Sequence, residues 1–153
     1  IEEMFEIMGE SIEDIMHDFF VNEIKPVLAP YVIGYNQPVP YLSQDREYIL
    51  TIMKTRKGNL KAGIIPLDEE MCKVYDIPGH RKAKKAELIC NYISEVYENY
   101  RIESTSYMIL KRDDRKIVSI NLSDRIKLSQ ALFICRIIGI DIKNIMYDME
   151  AVV

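Results

Sequence analysis

Residues 46–66 read REYILTIMKTRKGNLKAGIIP, two apolar stretches on either side of Arg56-Lys57-Gly58-Asn59. The isoleucines, threonines and tyrosine of the flanks favour extended chain, and a glycine-containing four-residue link between two such runs is a turn signal, so the stretch predicts a β-hairpin. A second hairpin is expected from SYMILKR (106–112) and RKIVSINL (115–122), joined at Asp113-Asp114. There Val118, Ile120 and Leu122 fall on one side and Ser119 and Asn121 on the other, which is the period of a strand.

Working outward, Ala86, Ile89, Ile93, Val96, Tyr97 and Tyr100 recur at helical spacing, which predicts one long amphipathic helix from about His80 to Arg101 between the hairpins. Residues 25–42 hold Pro26, Pro30, Pro38 and Pro40 with Gly34 and make a poor helix, while YVIGYN (31–36) reads as a short edge strand. After the second hairpin, Ser123 is placed to cap a helix from Asp124 to Ile138, and Gly139 leads into a last helix from Ile142 to Glu150. The expected fold class is α+β: an antiparallel sheet from two β-hairpins, a long helix between them and a C-terminal helix pair. Val118, Ile120, Leu122, Ile89 and Ile93 are expected to share its core. The 153 residues read as a single domain with residues 1–24 as an acidic helical arm, and the start at Ile1 suits a fragment of a longer chain.

Apolar residues make up 48% and charged residues 29%, which are globular values. No apolar run is long enough to span a bilayer, and the acidic N-terminal stretch is unlike a secretory leader, so a cytoplasmic location without membrane contact is expected. Cys72, Cys90 and Cys135 are widely spaced in apolar surroundings and read as reduced thiols. The two histidines, His17 and His80, lie far apart, and no Cys-x-x-Cys, Gly-x-Ser-x-Gly or phosphate-loop glycine pattern occurs, so no catalytic set, metal site or cofactor is expected. Asp68-Glu69-Glu70 with Lys73 has the composition of a carboxylate-and-lysine nuclease centre but sits in a loop or short helix instead of on a strand.

Net charge is −4, unevenly placed. Residues 1–24 hold eight carboxylates and no lysine or arginine, so the remainder has 20 basic and 16 acidic residues. The stretch DIPGHRKAKKAELI (76–89) would put Arg81, Lys82, Lys84 and Lys85 in the first turns of the long helix. Cations oppose the positive pole of a helix by about 0.3–1 kcal/mol each, so their crowding there asks for an anionic partner. Lys111, Arg112, Arg115 and Lys116 gather at the second hairpin turn. The reading is a non-enzymatic regulatory or binding module contacting a polyanion, nucleic acid first among them. The alternative is a protein-interaction module with an acidic protein partner or a homo-oligomer, followed by an enzyme acting on a phosphorylated small molecule.

One cadence occurs twice: IMGESIEDIM (7–16) and IIGIDIKNIM (137–146) agree at five of ten positions, and both have the grammar of a capped helix-to-helix corner in which Gly9 and Gly139 take positive φ. The longer stretch LSQALFICRIIGIDIKNIM (128–146) resembles the last two helices of phage-repressor-type (Xre, lambda-repressor-like) helix-turn-helix domains, with Leu128, Ala131, Ile134, Cys135, Ile138, Gly139, Asp141, Ile142 and Ile145 at that family's small and apolar positions. The preceding residues read as a hairpin, so no DNA-reading residue carries over. The resemblance implies a sensor or dimerisation body following a DNA-binding domain.

Overall fold

The computed structural model describes residues 12–77 and 81–147. In chain order the elements are α1 (Ile12–Phe19), β1 (Tyr31–Ile33), β2 (Glu47–Lys54), β3 (Leu60–Leu67), α2 (Glu69–Cys72), β4 (Val74–Ile77), β5 (Arg81–Lys84), α3 (Lys85–Asn91), α4 (Ile93–Val96), β6 (Arg101–Arg112), β7 (Ile117–Leu122), α5 (Leu128–Ile138) and β8 (Ile145–Tyr147). The class is α+β, as expected. The chain divides into two compact units, one from residues 1–28 and 68–96, the other from 29–67 and 97–153.

The second unit is a six-stranded sheet in the order β1-β3-β2-β6-β7-β8. Both hairpins form, with Leu50 opposite Ile64 in the first and Met108 opposite Leu122 in the second. The first turn closes through Gly58 at φ +85°, a conformation that glycine reaches without a Cβ clash. The short strand expected at 31–36 is β1, on the sheet edge beside β3. One face of the sheet packs with α5 into a core that includes Leu50, Ile52, Ile64, Met108, Ile120, Leu122, Phe133 and Ile134. On strand β3, a Cβ at Gly63 would lie 2.5 Å from Cζ of Tyr97, so the buried tyrosine ring occupies the space a side chain would need.

Three expectations are corrected in this unit. Val118 is 37% exposed while Ile120 and Leu122 are buried, because the register slips between Lys111 and Arg112 and the extra residue of the bulge turns Val118 away from the core. Strand β6 starts at Arg101, so Tyr97 and Tyr100 belong to the turn before it, not to a helix. The last helix expected at 142–150 is a 3-10 turn over Ile142–Asn144 followed by β8, which adds to β7 in parallel. Ile145 is buried and Met146 exposed, a strand alternation, and β8 satisfies backbone groups of β7 that an edge would leave open. The corner glycine itself is as expected: Gly139 has φ +85° and its N–H donates to the Cys135 carbonyl at 2.8 Å. Gly9 and Ser11 of the echo, and residues 148–150 of the expected helix, lie outside the described residues.

In the first unit, α1 buries Met16 and exposes Glu13, Asp14 and Asp18. It widens into a π-helical turn, Phe20–Ile24, with both end residues buried, before Pro26 in a 3-10 turn lets the chain leave. Asp68 caps α2 by accepting the Met71 N–H at 2.8 Å. The long helix expected from His80 to Arg101 is replaced by β5 and two short helices broken at Tyr92. Strand β5 pairs antiparallel with β4, whose VYDI composition suits a strand. Extended chain through Lys84 also keeps three cations out of the helix, which starts at Lys85 with the acidic Glu87 in its first turn. Ile89 and Ile93 are buried in this unit, Ile120 and Leu122 in the other.

Candidate functional site

The two units differ in charge. The first carries 14 acidic and 6 basic residues, net −8; the second carries 10 acidic and 14 basic, net +4, and together they make the chain's −4. A polyanion is therefore repelled by one unit and drawn to the other.

The eight predicted site residues divide the same way. Arg81, Lys82, Lys84 and Lys85 lie in the acidic unit, and the helix N-terminus there holds only Lys84, as N-cap, and Lys85, since Arg81 and Lys82 lie on β5. Arg81 is placed by its backbone opposite Ile77, and Lys82 stands directly opposite Asp76 across the two strands. Lys82 and Lys84 are exposed around a buried Ala83. Lys85 is paired with Glu70 at 3.3 Å and lies over the ring of Tyr75 at 5.1 Å. This cluster is partly neutralised by its own unit.

Lys111, Arg112, Arg115 and Lys116 surround the β6–β7 turn of the basic unit. Lys111, Arg115 and Lys116 are exposed. Arg112 is committed to structure: its guanidinium donates to the Leu42 carbonyl at 3.0 Å and stacks over Tyr41 at 4.4 Å, while its backbone N–H donates to Gln44 Oε1. Asp113 accepts the backbone N–H groups of Arg115 and Lys116 and shapes the turn. Beside it runs an open groove of about 700 Å³, lined by Arg46, Lys111 and Arg112 together with Ile109 and Val118, the last exposed by the bulge. Asp45 and Glu47 also line it.

A second basic region went unrecognised in the sequence. At the opposite end of the β2–β6 pair, Lys54 stands across from Arg101, and a groove of about 300 Å³ is lined by Lys54, Arg56, Tyr100 and Arg101 with Glu98. Glu103 is shared between Lys54 at 3.3 Å and Arg101 at 3.7 Å. Arg56 and Lys57 are exposed at the turn. The signal was the Arg-Lys pair inside RKGN, legible as a turn; its partner Arg101 was hidden by the misplaced helix.

His17 Nε2 lies 2.7 Å from Glu95 Oε1 with its ring edge-on to Tyr92. Burial pushes the Tyr97 hydroxyl well above its ordinary range, and burial, then the Asp141 carboxylate, push the Cys135 thiol up. Among the described residues no group of three or more His, Cys, Asp or Glu is arranged to hold a metal ion, and no helix is long and apolar enough to cross a membrane. His80 lies outside the described residues.

A family model described as the polyphosphate kinase middle domain matches residues 12–130. Among solved structures, the chain is similar to the crystal structure of polyphosphate kinase from Porphyromonas gingivalis, with a TM-score of 0.70 and 15% identity, covering 89% of this chain and 23% of that one. That likeness concerns the fold, and the chain spans about a quarter of the neighbour's length. No curated protein matches. The family match overturns the phage-repressor resemblance: no helix-turn-helix domain is indicated, and the stretch that suggested one ends in a 3-10 turn and a strand. It also overturns the reading as a non-enzymatic regulatory module for nucleic acid, since the family matched is a polyphosphate kinase domain.

Proposed function

The chain belongs to the polyphosphate kinase middle-domain family, and from that premise we propose that it serves a polyphosphate kinase by holding the phosphate polymer through charge, the reacting groups being supplied elsewhere in a longer protein. The observation that carries this reading is the family match over residues 12–130. The net +4 of the sheet unit supports it.

Lys111, Arg115 and Lys116 are the residues assigned to the polymer. Their exposed heads at a hairpin turn suit a linear anion whose every unit presents charged oxygens: lysine as a mobile point charge, arginine as a planar fork that takes two oxygens at once. Arg112 holds the 41–44 segment in place and so positions one side of the groove. Phosphoryl transfer depends largely on positioning and on fields that offset developing charge, so a domain without reacting groups still contributes by holding the polymer in register.

The test is fluorescence anisotropy with end-labelled long-chain polyphosphate. The chain should bind, and Lys111→Gln/Arg115→Gln/Lys116→Gln should weaken binding at least about tenfold, the effect of three exposed charge contacts at ~0.5 kcal/mol each, with an unchanged melting temperature. No binding by the unaltered chain, or equal binding by the variant, would overturn the reading.

A further inference from the structure

We propose that the β2–β3 end of the sheet unit is a second polyphosphate subsite, so that one long polymer engages both ends of the sheet while a short one engages a single end. The inference rests on the reading above that the chain holds polyphosphate.

Three observations lead to it. First, basic residues of this unit gather at two ends of one strand pair: β2 and β6 run antiparallel, with Lys54 opposite Arg101 at one end and Tyr48 opposite Met108 towards the other, where Arg46 and Lys111 line one groove. Second, the newly recognised end has a surplus of cations. Glu103 serves both Lys54 and Arg101, Glu98 also lines the groove, and the exposed Arg56 and Lys57 bring the cations there to four against two carboxylates. The turn does not require those two side chains, because Gly58 already supplies the positive φ that closes it. Third, the ends are rigidly spaced. Strand β6 carries Arg101 and Arg112 at its two termini, 12 residues that at about 3.3 Å each set the subsites roughly 35 Å apart.

That spacing gives the site a chain-length preference. Tripolyphosphate is far shorter than the gap and neutralises one subsite at a time. A polymer long enough to span it makes the second contact intramolecularly, at the high effective concentration that raises affinity by up to roughly 10²–10⁴ when geometry permits both contacts. Residues 104–110, on the strand between, include no lysine or arginine, so the preference comes from the two ends.

The experiment measures binding of tripolyphosphate and of long-chain polyphosphate, expressed per phosphate unit, at low salt. Three proteins are compared: the unaltered chain, Arg56→Gln/Lys57→Gln/Arg101→Gln, and Lys111→Gln/Arg115→Gln/Lys116→Gln. All changed side chains are exposed, and thermal melting checks that each variant folds. The expected result is at least tenfold tighter binding of the long polymer per phosphate by the unaltered chain, with that advantage lost in either variant. Loss in the second variant alone would overturn the second subsite and leave the proposed function standing. A length advantage that survives both variants, or none in the unaltered chain, overturns the bridging. Absence of any binding removes both readings together.

Discussion

The acidic and the basic unit use the same kind of residue differently. In the first, Lys85 pairs with Glu70 and Lys82 stands across from Asp76 in the ribbon. In the second, cations outnumber carboxylates and collect at strand ends, where turns project them into solvent. A dense basic motif in a sequence therefore says less about a ligand than the charge of the surface to which the fold assigns it. The densest motif, RKAKK, lies in the net-negative unit, and the sparser pair Arg56-Lys57 in the net-positive one.

The difference extends to architecture. The sheet unit has one large core, whereas the first unit is assembled from short helices and a two-stranded ribbon. The largest effect on stability is thus expected from Phe133→Ala, which removes a ring that is 1% exposed from the α5–sheet core and should cost about 3–5 kcal/mol in chemical denaturation. Ile89→Ala in the first unit should cost less, about 2–4 kcal/mol. Equal or reversed effects would break the contrast between the two cores.

Next comes Gly63. With Tyr97 seated on it, Gly63→Ala should cost about 1–3 kcal/mol through overpacking. The same change made in a Tyr97→Ala background should cost much less. If a double-mutant cycle shows no coupling, the ring does not occupy that place.

These two sites mark what the sequence could and could not disclose. The hairpins were legible because each is local: apolar runs, a turn and a register set by both. Gly139 was legible for the same reason, and its positive φ predicts that Gly139→Val costs about 1–3 kcal/mol of backbone strain in thermal melting. The Gly63–Tyr97 contact was not legible, since it joins residues 34 positions apart. The stretch from 80 to 101 was misread because helical spacing of Ile89, Ile93 and Val96 was extended backward over RKAK. There the exposed-buried-exposed order of Lys82, Ala83 and Lys84 is a strand period of only three residues. The end of the chain was misread because Ile-rich segments suit either element, and the choice of β8 is made by the open edge of β7, a tertiary fact. The basic site was half legible: the β6–β7 cations stood in one run, while the β2–β3 end is completed only when β6 brings Arg101 beside Lys54.

A smaller effect tests the Tyr97 environment by pH. Its hydroxyl is buried, without a hydrogen-bond partner among the described residues, and its pKa is raised by burial above the ordinary value near 10. The folded state thus keeps a proton that the unfolded chain releases. Stability from this group is whole below pH 10 and falls as the pH rises beyond it. Tyr97→Phe should leave neutral stability unchanged or raise it by about 1 kcal/mol, and should flatten the alkaline decline in melting temperature. An unchanged alkaline slope would show that the hydroxyl is not the group titrating.

The smallest effect is the most direct test of how the two units use lysine. If Lys82 stood in the first turn of a helix, replacing it with Gln would relieve repulsion from the helix pole and raise stability by ~0.3–1 kcal/mol. On strand β5 the sign reverses. Lys82 stands opposite Asp76 across the ribbon, an opposite-charge register pair worth about 0.2–1 kcal/mol. Lys82→Gln should therefore lower stability by less than about 1 kcal/mol. It should also leave polyphosphate affinity within about twofold, because this cation belongs to the net-negative unit. A gain in stability would restore the helix reading of RKAK, and a large loss of binding would move the polymer onto the acidic unit and dissolve the division of labour between the two.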